Sequence, residues 1–107
     1  MKWRSDLEEW ADEYFLGEKE LMKRKTFGCP SYYFGKKLFA FLYQDSLGIK
    51  LDPVTVNEKI LEDPEQYQHF NPGDGIMKNW LLITLADKED YDIEKSLIVS
   101  ALKNFLK

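Results

Sequence analysis

The chain has 107 residues, 44% hydrophobic and 15% aromatic, with a formal net charge of −4 and a pI of about 5.0. This is one domain's length, expected over residues 1–107, with apolar material enough for a core that needs no metal or disulfide staple. The acidic balance argues against general attraction to nucleic acid or anionic membrane, and the single cysteine, Cys29, excludes an internal disulfide and suits a reducing compartment.

The opening "MKWRSDLEEW" reaches charge before any apolar run, so no signal peptide is expected. No apolar stretch approaches the roughly 20 residues of a membrane span, and the expected location is the cytoplasm. Ser5 through Glu8 has the form of a capping box. Leu7, Trp10, Ala11, Tyr14 and Phe15 then recur at helical spacing, with Leu21 and Met22 extending the stripe. Gly17 is a point of bending or breakage, and Lys23, Arg24 and Lys25 are expected in the last turn, where cations suit the helix dipole.

From Thr26 the texture becomes β. "SYYF" and "KLFAFLY" joined at Gly35-Lys36 predict a hairpin, with Gly35 free to take a positive φ. A turn at Gln44-Asp45-Ser46 leads to "LGIKL", whose alternation puts Leu47, Ile49 and Leu51 inward and Gly48 and Lys50 outward. Asp52-Pro53 starts a helix that ends near Asp63-Pro64. "EQYQHF" reads as a short edge strand, "NPGDG" as a loop and "NWLLITL" as the last strand. Asp90 or Asp92 is expected to cap a closing helix that buries Ile93, Leu97, Ala101, Leu102 and Phe105. The order α-β-β-β-α-β-β-α predicts an α+β fold in two layers, an antiparallel sheet with helices on one face.

Chemistry-bearing residues are few. Cys29 and His69 form the only thiol–imidazole pair available, and a cysteine nucleophile needs a base within hydrogen-bond reach. The more common role of such a cysteine is a small buried hydrophobe, so no catalytic residue is assigned and no enzyme activity is expected. One His and one Cys fit no metal-ligand spacing. The carboxylates Glu8, Glu9, Asp12, Glu13, Glu18 and Glu20 read as a solvated helix face. "NPGDGIMKN" lacks the P-loop pattern, so no metal or cofactor is expected. Lys23, Arg24, Lys25, Lys36 and Lys37, with Tyr32, Tyr33 and Phe34 between, imitate a platform for bases and form the candidate nucleic-acid contacts.

A stronger signal is that two strands are apolar on both sides. Strict alternation in "KLFAFLY" sets Leu38, Ala40 and Leu42 against Phe39, Phe41 and Tyr43; in "NWLLITL" it sets Leu81, Ile83 and Leu85 against Trp80, Leu82 and Thr84. One layer of helices covers one face. Phe39, Phe41, Tyr43, Trp80 and Leu82 are therefore the candidate partner surface, with a second copy of the chain, a homodimer, as the simplest partner.

The segments "TFGCPSYYFGKKLFAFLYQDSLGIKL" and "FNPGDGIMKNWLLITL" resemble the N-terminal domain family of the competence regulator TfoX. Phe27-Gly28, Gly35, Phe39-Ala40 and Met77-Lys78 stand at that family's characteristic places, and Thr26 replaces its methionine. "GKKLFAFL" is also similar to the MmcQ/YjbR family, of related fold. The resemblance implies a secretion-chaperone-like α+β fold and a regulatory or protein-interaction role without catalysis. The YjbR likeness implies, as an alternative, a DNA-binding module using the basic residues near the first hairpin.

Overall fold

Local turn chemistry lays out the sheet. The computed structural model describes residues 3–17, 21–26, 28–73 and 75–105, with side chains to Lys103. Helix α1 (Ser5–Ala11) runs into a π-helical turn (Asp12–Leu16) that ends at Gly17. Strands β1 (Met22–Thr26), β2 (Cys29–Phe34), β3 (Lys37–Tyr43) and β4 (Ser46–Lys50) follow as a meander. Gly35, at φ +63°, makes the tight turn between β2 and β3. Helix α2 (Pro53–Glu62) has Asp52 as its cap, the carboxylate accepting from the Thr55 amide at 3.1 Å, with proline in the first turn. Strands β5 (Tyr67–Phe70) and β6 (Met77–Ile83), a 3₁₀ segment (Lys88–Glu94) and helix α3 (Lys95–Phe105) complete the described chain.

All strand pairs are antiparallel, in the order β1-β2-β3-β4-β6-β5. The α+β class holds, and β5 is the edge strand expected of "EQYQHF". One cluster unites Leu7, Phe15, Tyr32, Phe39, Leu42, Ile49, Val56, Leu81 and Ile98. Residues of all three helices thus pack on the same side of the sheet.

The structure departs from the expected outline in four places. Lys23, Arg24 and Lys25 lie not at a helix end but in a sixth strand, β1, paired with β2. Met22 there is 54% exposed, whereas Leu21 is buried. The capping box at Ser5 does not form: Arg4 is the N-cap, with no side-chain capping bond. The Glu8 carboxylate instead accepts from Trp3 Nε1 at 2.8 Å and Lys23 Nζ at 2.6 Å, which holds its pKa below the ordinary carboxylate value. The closing segment is capped by Asp87, in a reciprocal box with Asp90, while Asp92 accepts from Trp10 Nε1 at 2.8 Å. Its first turns are 3₁₀, burying Tyr91 and Glu94 at a spacing of three. This shifts the phase, so Ile93 is 76% exposed and Ile98 takes the core position. The Phe105 side chain, Phe27, Glu18 and Glu20 lie outside the described residues.

The fourth departure reorganises β3. Tyr32 pairs with Ala40 and Tyr33 with Leu38, leaving Phe39 as the extra residue of a β-bulge. Phe39 and Ala40 consequently both join the helix-covered core, with Leu42. Leu38, Phe41 and Tyr43 face the other side.

Candidate functional site: the outer face of the sheet

The sheet's second face carries its own cluster. Phe41, Phe70, Trp80 and Leu82 pack together, with Leu38 and Tyr43 against them, and no described helical residue belongs to it. The Phe41 ring centre lies 5.0 Å from those of both Phe70 and Trp80 at tilted angles, and Tyr43 meets Phe70 edge-on at 5.2 Å, geometries that aromatic quadrupoles favour. Gly48 makes room: an added Cβ there would stand 2.6 Å from the Phe41 ring tip.

Of the expected partner surface, Phe41, Trp80 and Leu82 are on this face, each 7–8% exposed. Tyr43 is on it and half-buried. Phe39 is not: the bulge turns it into the opposite core, where it is fully buried. Phe70 escaped the sequence reading, although period two from the inward Tyr67 places Gln68 and Phe70 outward. The accessible apolar rim comes from a row across three strands, Met22 opposite Tyr33 and Tyr33 opposite Leu38.

The five candidate nucleic-acid contacts do not form one patch. Lys23 bonds Glu8 at 2.6 Å and Asp12 at 2.9 Å, so it is neutralised against α1. Arg24 alternates to the outer face, its guanidinium carbon 5.4 Å above the Tyr33 ring. Lys25 pairs with Pro30, at the end of β2 away from the Gly35 turn that carries Lys36 and Lys37, roughly 17 Å along the strand. Tyr32 is fully buried and donates to Asp12 Oδ1 at 2.7 Å. Burial, then that carboxylate, pushes its hydroxyl pKa up.

The charged residues of the described strands are nonetheless of one sign. The described strands contain Lys23, Arg24, Lys25, Lys37, Lys50 and Lys78 and not one Asp or Glu. Every described carboxylate lies in a helix, turn or loop. Lys50 of β4, paired with Trp80 of β6, joins Arg24 on the outer face.

Cys29 is buried on β2 and His69 lies on the far edge strand, four strand spacings or roughly 19 Å away; the thiol and imidazole are not brought together. Open grooves occur among the described residues beside the helices. One, of about 400 Å³, is lined by Trp10, Tyr14, Asp92 and Lys95 among others; another, of about 570 Å³, by Tyr67, Thr84, Ile93 and Glu94 among others. Their polar groups are engaged with each other: Lys95 with Asp92 at 3.2 Å, and Tyr67 donating to the buried Glu94 carboxylate at 2.5 Å. No cluster of three or more potential metal ligands occurs among the described residues, and no described helix is long and apolar enough to cross a membrane.

No family model, curated protein or solved structure matches the chain. The functional reading therefore rests on the geometry above and on the sequence resemblance.

Proposed function

We propose that the protein is a non-enzymatic interaction domain of the TfoX N-terminal type, and that it docks its partner on the outer face of the sheet. The observation that carries this reading is the face itself: a cluster of aromatic residues with a half-open apolar rim, over which no described helix packs. Contiguous exposed apolar surface marks partner sites, and on this face the accessible part is the rim, exposed Met22 beside half-buried Tyr33 and Leu38. Two supports lie in the sequence, the TfoX-like segments and the scarcity of groups that do chemistry. The DNA-binding alternative draws less support, because Lys23 is held by two carboxylates and Lys25 is distant from Lys36 and Lys37.

Proximity labelling in the source cell tests the docking face. Leu38→Ser with Tyr43→Ser, half-buried positions of this face, is expected to remove the labelled partners, while Leu61→Ser and Ile93→Ser on the helical layer leave them. Loss of the partners through the helical pair alone refutes the assignment. An experimental structure tests the kinship: its strands should superpose on a TfoX N-terminal domain in the order β1-β2-β3-β4-β6-β5, and a different strand order in that domain ends it.

A further inference from the structure

We infer that the groove beside β5 binds a linear aliphatic polyamine, one ammonium group meeting the buried Glu94 carboxylate and the next lying between the carboxylates of the rim. This site is separate from the docking face and goes beyond that reading. The groove, of about 570 Å³, has the size of a small-molecule site. Its walls come from the start of β5, the stretch 84–86 that follows β6, and the 3₁₀ segment. The 3₁₀ spacing turns Glu94 inward below Tyr91. Glu94 is 5% exposed and is the one buried carboxylate among the described residues.

A carboxylate this buried is ordinarily met by a cation. Among the described residues Glu94 forms no ion pair. Its hydrogen bond comes from a neutral phenol, Tyr67, which donates to Oε1 at 2.5 Å; Oε2 receives none from a described residue. Burial, then Glu94 itself, raises the Tyr67 pKa, so the proton stays on the phenol and the negative charge stays unmet. Glu65, exposed, and Asp90, half-buried, add two carboxylates at the rim, and no Lys or Arg is among the described lining residues. Two cations nearby are engaged elsewhere. Arg4 pairs with Asp6 at 2.7 Å and donates to the Leu85 and Ala86 carbonyls. Lys59 pairs with Glu62 at 3.7 Å and lies 5.5 Å from the Tyr67 ring centre.

The arrangement selects the kind of cation. These carboxylates do not converge: no three potential ligands among the described residues stand close enough to hold a metal ion. Carboxylates spread along a groove suit charges spread along a chain. Between the ammonium groups, methylenes have apolar wall to cover in Leu85 and in Ile93, which is 76% exposed. The net charge of −4 favours the approach of a polycation. An anion would meet the carboxylates of Glu65, Asp90 and Glu94 with nothing to offset them, and a neutral ligand leaves the buried charge of Glu94 as it is.

The test is an amide-resolved NMR titration of the full chain with spermidine, putrescine, butylamine and butanol. Spermidine is expected to shift the amides of Tyr67, Leu85, Ile93 and Glu94, with affinity falling through putrescine to butylamine and butanol silent. Glu94→Gln, which keeps an acceptor for Tyr67, should weaken spermidine by at least about tenfold. Glu65→Gln with Asp90→Asn, substitutions outside the core, should bring spermidine down to the affinity of butylamine. Glu58→Gln, an exposed carboxylate of α2 away from the groove lining, should change nothing. If Glu58→Gln costs as much as Glu94→Gln, or if shifts spread over all the carboxylate-bearing helices, the binding is general counterion attraction and the site is refuted. Absence of shifts at the groove amides refutes it as well. Tighter binding of magnesium at those amides overturns the inference in favour of a metal ion. Tighter binding there of a lysine-bearing peptide than of spermidine overturns it in favour of a protein side chain.

Discussion

Gly48→Ala is a one-carbon change whose sign should depend on a residue in the neighbouring strand. The added Cβ would stand 2.6, 2.8 and 3.0 Å from three carbons of the Phe41 ring, inside any real carbon contact. The ring cannot swing aside freely, because the Phe70 and Trp80 rings both pack against it at 5.0 Å. Overpacking of this kind costs roughly 1–3 kcal/mol. Alanine in a strand regains about 0.5–1 kcal/mol of the entropy that glycine loses on folding. The net is a destabilisation of about 0.5–2 kcal/mol, a fall in Tm of up to roughly 10 °C for a domain of this size. In a Phe41→Ala background the obstacle is gone. There the same Gly48→Ala change should stabilise, by about 0.5–1 kcal/mol, on top of the roughly 3–5 kcal/mol that losing the buried ring costs. Urea unfolding of the four proteins of this cycle, followed by tryptophan fluorescence, measures both values. Equal costs of Gly48→Ala in the two backgrounds, or a stabilised single mutant, would refute the close approach of Phe41 to Gly48.

The bulge predicts unlike costs on one strand: Phe39→Asp, in the fully buried core, should prevent folding, whereas Leu38→Asp, on the half-open face, should leave a folded protein with near-native circular dichroism. Burial raises the hydroxyl pKa values of Tyr32, Tyr67 and Tyr91. A raised folded pKa means that the stability is complete below the unfolded value of about 10 and erodes above it, by up to about 1.4 kcal/mol per pH unit for each group. Alkaline titration followed by tyrosinate absorbance should show these three ionising only with unfolding; three that ionise reversibly in the native protein would contradict their burial. Cys29, 2% exposed, should react with thiol reagents at a rate set by opening of the structure, accelerating in mild denaturant, and fast labelling of the native protein would show a reactive, accessible thiolate.

The parts of the fold that rest on strong local rules were legible in the residues. Gly35, Asp52-Pro53 and the alternation of Leu47, Ile49 and Leu51 each act within a few positions, and each sits as expected. Strand β1 was hidden because "MKRKT" has no alternation to detect. It is an edge strand whose lysines discourage pairing with other chains, and its neighbour Leu21 happens to continue the helical spacing. The outer face was legible as a double-sided apolar pattern, but its membership was not. Parity along "KLFAFLY" holds only while each residue has a partner, and one unpaired residue at Phe39 exchanges the faces of everything before it. The placement of Arg24 and Lys50 on one face depends on pairings between strands distant in sequence, which single-residue patterns do not contain.

A strand greasy on both sides has a particular difficulty in folding. Ordinarily a hairpin that slides by one residue turns its apolar side to water, and that penalty fixes the alignment. In β3 the penalty is weak, since Leu38, Phe41 and Tyr43 would be nearly as acceptable inside as Ala40 and Leu42. Alignment has to come from shape instead. The unpaired Phe39 acts as a detent against β2, and the Phe41 ring finds in Gly48 the one place within the described strands where a neighbour lacks a side chain. Sliding by a single step withdraws the ring from that notch and drives it against Leu47 or Ile49. The bulge and the glycine together work as tooth and slot, giving this sheet a unique alignment that its hydrophobicity alone does not specify.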